Sequence, residues 1–101
     1  MLINKNAQQT VGDIVTFKLV NGDELVGKIT DDTTGSVTLS KPVNIVLTQQ
    51  GPSFAPVTWS GDPESEVKID RINILFSVPT DAQLTSQYIK LTMGIQLVDG
   101  M

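Results

Sequence analysis

The sequence predicts an all-β fold: a small, strongly bent, five-stranded antiparallel barrel with a C-terminal α-helix and a long loop before the fourth strand. Three observations carry this. Apolar residues alternate with period two from Val15 to Leu47 and again from Val67. Turn signals rich in Gly, Asn and Asp cut the alternation into short segments. Beyond Pro79 the apolar spacing turns helical.

The segments divide the chain into an arm over 1–10, the barrel over 11–79 with a loop insertion at 49–66, and a helix and tail over 80–101. Met1 to Thr10 is polar after Leu2 and Ile3 and reads as a weakly ordered lead-in. Val15, Phe17 and Leu19 alternate with Thr16, Lys18 and Val20, the pattern of a half-buried strand. Asn21-Gly22 follows, a strong hairpin signal, because both residue types tolerate positive φ. Leu25, Gly27 and Ile29 continue the second strand, and Gly27 within it marks a bend or a close backbone approach. Asp31-Asp32-Thr33-Thr34-Gly35 is the next turn. Val37 and Leu39 open a third strand that bends or bulges near Lys41-Pro42 before Val43, Ile45 and Leu47 resume the alternation.

Gln49 to Glu66 contains Gly51, Pro52, Pro56, Gly61 and Pro63 and reads as loop, with Val57-Thr58-Trp59 starting a short strand inside it. Val67 and Ile69, then Ile72, Ile74 and Phe76 after an offset at Asp70-Arg71, form the last strands. Thr80 with Gln83 resembles a capping box, and Asp81 adds negative charge to the first turn. Leu84, Tyr88, Leu91 and Ile95 form a packing stripe on a helix from Asp81 to about Thr92, stopped by Gly94.

Composition narrows the function. The chain has 101 residues, which suits one modest core. It has no Cys and no His, so it lacks thiolate chemistry, the commonest general base and the commonest transition-metal ligand. No nucleophile elbow or phosphate loop is present, and acid pairs such as Glu64 and Glu66 read as solvated loop. The expectation is a non-enzyme with no cofactor, metal or catalytic residue. A formal net charge of -4 argues against broad, phosphate-driven binding of nucleic acid. No apolar run approaches the roughly 18 residues of a membrane span, and the N-terminus lacks the pattern of a secretory signal, so a cytoplasmic protein is expected.

Among charged and aromatic candidates, Asp31-Asp32 reads as a solvated turn, and no loop shows the alternating oxygen ligands of a calcium site. Arg71 reads first as a surface or interface ion pair, with Asp70 or Glu66 of a neighbour as partner. Trp59 and Phe54 read as loop anchors, with stacking on a base or a partner as the alternative.

The run Val15-Thr16-Phe17-Lys18-Leu19-Val20-Asn21-Gly22-Asp23-Glu24-Leu25-Val26-Gly27-Lys28-Ile29 resembles the first motif of the Sm and Sm-like (LSm/Hfq-type) family. Gly22 and Gly27 fit its two glycines, Asp32 its acidic loop position and Leu39 its following strand. Val67-Lys68-Ile69-Asp70-Arg71-Ile72-Asn73-Ile74 looks like the shorter second motif. The similarity covers about half the chain, and its overall character is that of a phage-encoded or environmental member. The resemblance implies a bent five-stranded barrel whose copies close into a homo-oligomeric ring by pairing the fourth strand of one subunit with the fifth of the next. Val67, Ile69, Ile72, Ile74 and Phe76 would then lie at the oligomer interface. It also implies binding of single-stranded RNA at the pore, with Ser36, Arg71 and Lys68 as the contacts, and other proteins as further partners.

The chain departs from the family pattern at several of these places. Gly35 and Ser36 replace an apolar residue and a base-contacting Asn, and Asp70-Arg71 replaces Arg-Gly. The helix follows the barrel instead of preceding it. The alternative expectation is therefore a structural or protein-interaction ring that has lost RNA binding.

Overall fold

The computed structural model describes residues 9–93. The chain forms β1 (Ile14–Leu19), β2 (Glu24–Asp32), β3 (Ser36–Thr48), β4 (Gly51–Pro56), β5 (Val67–Asp70), a 3-10 turn (Arg71–Asn73), β6 (Ile74–Pro79) and α1 (Ala82–Met93). All ladders are antiparallel. The sheet runs β4-β3-β2-β1-β6, and β5 pairs with the first half of β3.

Two expectations change here. The sheet has six strands, because Gly51–Pro56 pairs with Val43 to Thr48 and is not loop. Pro52 and Pro56 are tolerated because β4 has β3 as its one partner, so an edge strand absorbs their missing N–H groups. The short strand expected at Val57-Thr58-Trp59 is absent, and the chain leaves the sheet there. The sheet is also open: among the described residues no ladder joins β6 to β4 or β5. It is nevertheless curled. Laid flat, the order β5-β3-β2-β1-β6 would separate β5 from β6 by four strand spacings, about 19 Å. Only the three residues of the 3-10 turn join them, a rise of about 6 Å.

Bulges produce that curl. β3 carries an extra residue at Lys41-Pro42 opposite Gly27, β2 one at Thr30, and β6 one at Leu75. The expected irregularity near Lys41-Pro42 is thus present, with Lys41 in the left-handed region at φ 49°. Opposite it, Gly27 allows a close approach: a Cβ there would lie 3.1 Å from Leu39 Cβ. The first hairpin differs from a two-residue primed turn. Gly22 N donates to Leu19 O and Leu19 N to Asp23 O, a three-residue loop in which Gly22 alone adopts positive φ, +95°.

Val15, Phe17, Leu25, Ile29, Val37, Leu39 and Ile69 form the core, as the period-two pattern requires. Val26, of the other parity on β2, is buried outside this cluster, as is Tyr88 of α1. The Tyr88 hydroxyl lies 2.8 Å from Ser40 O and 2.9 Å from Lys41 O, so the helix clamps the β3 bulge. Burial pushes that hydroxyl's pKa above its ordinary value.

The helix is capped by Asp81, whose Oδ2 accepts from Gln83 N and Leu84 N, and not by a Thr80–Gln83 box. Thr80 instead pairs its hydroxyl with Thr16 at 2.9 Å. Of the expected stripe, Tyr88 is buried, Leu84 partly so and Leu91 exposed; Ile95 and the Gly94 stop lie outside the described residues, as does most of the N-terminal arm.

Candidate functional site

Two features of the fold bear on function: a polar corner around Arg71 and the unpaired edges of the sheet.

The corner is built by register. Ser36 stands opposite Asp70 in the β3–β5 ladder, which brings the β2–β3 turn against the 3-10 turn. Thr33 organises the first turn: its hydroxyl accepts from Ser36 N at 3.1 Å and pairs with Ser36 Oγ at 3.1 Å, while its N–H donates to Ser36 O. Arg71 ties the turns together. Its backbone N donates to Gly35 O at 3.0 Å, its Nε to Thr33 O at 3.0 Å, and its Nη2 to Asp32 Oδ1.

Within the chain Arg71 pairs with Asp32, 39 positions away. Ser36 is 8% exposed with its hydroxyl engaged by Thr33. Lys68 is exposed on β5, opposite Thr38 and flanked in sequence by Glu66 and Asp70. Register therefore gathers Ser36 and Arg71 into one corner, with Lys68 further along the strand. Asp32 neutralises the guanidinium, and Asp31 on β2 and Asp70 beside the 3-10 turn adjoin the pair in sequence, so the local sequence holds more carboxylates than cations. That balance disfavours an approaching phosphate.

The β6 edge is apolar. β6 pairs with β1 on one side and leaves its other side unpaired among the described residues. Along it Leu75 is 62% and Phe76 56% exposed, and Val78 is also exposed. Ile72 of the adjoining turn is 84% exposed. Among the residues expected at an interface, Ile69 lies in the core, and Val67 and Ile74 pack partly against it. Ile72 and Phe76 face outward, and Leu75 and Val78 join them. The signal for those two was the unbroken apolar run Ile74-Leu75-Phe76 before Val78, which a strand buried on one face does not need.

The remaining candidates separate. Phe54 packs edge-on against Tyr88, with ring centroids 6.4 Å apart, whereas Trp59 is 88% exposed. Asp31 and Asp32 end β2 instead of forming a turn. Asp23 is bound to Asn21, and Glu24 lies 3.7 Å from Lys18, so these acids do not converge on a cation. Among the described residues no group of three His, Cys, Asp or Glu is placed to hold a metal ion, and no helix is long and apolar enough to cross a membrane.

A comparison with protein-family models and another with curated proteins found no match to this chain.

Proposed function

We propose that the chain is a non-enzymatic, self-associating structural module: an Sm-like ring in which the outer edge of β6 of one copy pairs with the free edge of β5 of the next, serving protein assembly and not RNA binding. The observation that carries this is the apolar outer edge of β6, where Leu75, Phe76 and Val78 stand exposed beside backbone that has no partner strand among the described residues. Such an edge is costly in a monomer and is blunted by adding a strand. With the β4 hairpin set aside, the strand order β5-β3-β2-β1-β6 leaves β5 and β6 as the two ends of a curled five-stranded unit. Closing each unit against its neighbour supplies the barrel-like ring that the motif resemblance implies.

The corner weighs against RNA. Arg71 is neutralised by Asp32, and Ser36 is buried with its hydroxyl turned to Thr33. Each copy would bring the acidic balance of the local sequence to the ring.

The test is light scattering with Phe76→Glu as the variant. Lys18 stands opposite Phe76 in register, so the new carboxylate shares with Glu24 a cation within the fold. The wild type is expected as an oligomer, and the variant as a folded species of lower mass. An oligomer unaffected by the substitution would overturn the assigned interface. Tight binding of oligo-uridine at moderate salt would overturn the exclusion of RNA.

A further inference from the structure

A groove of about 610 Å³ opens between the β3 bulge, β4, the connection from Val57 to Ser65, and the end of α1. Its size falls within the roughly 300–1,000 Å³ of small-molecule sites. The walls are largely apolar, with Pro42, Val43, Phe54, Val57, Val67 and Leu91 among them. The rim carries Lys41, Asp62, Glu64 and Thr92.

The charges at the rim are unequal. Lys41 Nζ donates to Thr92 O at 2.9 Å and lies 3.7 Å from Glu64 Oε1. The one cation is therefore already shared between a carboxylate and a carbonyl of the last helical turn, where the helix dipole is negative. Asp62 is left over. Its Oδ1 accepts from Glu64 N at 2.9 Å, and it makes no ion pair among the described residues. The rim thus holds two carboxylates and a helix C-terminus against one ammonium. It is also fixed in place: Lys41 is held in its left-handed conformation by the Tyr88 hydroxyl on its carbonyl and by its own bond to Thr92.

We propose that this groove binds a small amphiphilic organic cation, an ammonium with an alkyl or aryl body. The body would lie along Val43, Phe54 and Leu91, and the charged head would sit by Asp62. A carboxylate ligand would share Lys41 with Glu64 and still face Asp62. A neutral ligand gains only the apolar contact. Phe54 adds a ring for the cation or for an aryl body. This inference does not rest on ring formation.

The experiment uses the full chain and three probes of one shape: phenylbutylammonium, phenylbutanol and phenylbutanoate. Calorimetry measures affinity, and amide NMR shifts give the location. The ammonium is expected to bind about fivefold tighter than the alcohol, the factor that a partly exposed charge contact of about 1 kcal/mol gives. The carboxylate is expected to bind weakest. Shifts are expected at Val57, Thr58, Val67 and Leu91.

Asp62→Asn keeps the carbonyl oxygen that accepts from Glu64 N. It is expected to lower the ammonium's affinity to that of the alcohol and to leave the alcohol unchanged. Equal binding of all three probes would mean an apolar groove that another segment or partner fills, and would overturn the proposal. Tighter binding of the carboxylate, no binding of the ammonium, shifts elsewhere, or an unaltered Asp62→Asn variant would also overturn it.

Discussion

Replacing Gly27 by Ala tests the packing that lets the sheet curl. The added Cβ would lie 3.1 Å from both Cβ and Cδ1 of Leu39, and 3.4 Å from its Cγ. Carbon pairs sit best at about 3.5–4.0 Å. Leu39 is fully buried, and its Cβ is fixed by the β3 backbone, so rotating the side chain relieves only part of the clash. Overpacking of this kind costs about 1–3 kcal/mol. Removing a glycine from a strand returns roughly 0.5–1 kcal/mol. The net expectation is a loss centred on about 1 kcal/mol, or roughly 4–8 °C in Tm for a domain of this size. Urea unfolding followed by circular dichroism reads it as a lower midpoint with an unchanged slope. Leu39→Ala alone is expected to cost about 2–5 kcal/mol. The double variant should lose less than the sum, by about 0.5 kcal/mol, because removing Cγ and Cδ1 of Leu39 relieves part of the clash while the Cβ contact stays. A Gly27→Ala protein as stable as wild type, or strict additivity in the double variant, would refute the close approach as the reason for glycine.

Three further outcomes follow from named contacts. Tyr88→Phe removes the one O–H that reaches both Ser40 O and Lys41 O, and a loss of about 1–2 kcal/mol is expected in urea titration. The pH dependence has a defined sign. Burial raises the folded hydroxyl's pKa, so this contribution is complete below tyrosine's ordinary 10.0 and is lost as pH rises from there through the folded value. The Phe variant should lack that component of alkaline destabilisation. Asp81→Ala removes the acceptor of two helix N–H groups and should cost about 1 kcal/mol, measured as a shift in thermal midpoint. Asp32→Asn should change stability by less than about 1 kcal/mol, since the pair with Arg71 is partly exposed, yet it should raise any residual affinity for oligo-uridine at low salt by freeing the guanidinium.

Much of the fold was legible because it is written in local periodicity. The alternation of Val15 and Phe17, the glycine at position 22, the irregularity at Lys41-Pro42 and the helix after Pro79 each rest on residues near one another in sequence. β4 was hidden because its prolines and glycine describe an edge strand as well as a loop; the partner that decides between them, the second half of β3, lies outside the segment itself. The helix cap shifted by one residue because Thr80 found a more distant partner in Thr16.

The candidate site was less legible for a related reason. Arg71 stood out as a charge, but its neutralisation by Asp32 depends on the β3–β5 register. That same register buries Ser36. Ile69 and Phe76 look alike as apolar strand residues, and only the curl of the sheet sends one into the core and leaves the other at the edge.

Self-association through the apolar edge of β6 is tested most directly by the mass in solution, measured by light scattering across a range of protein concentrations. A stable multiple of the 10.9 kDa chain, persisting on dilution, is the expected result. A species of 10.9 kDa at all concentrations would contradict it.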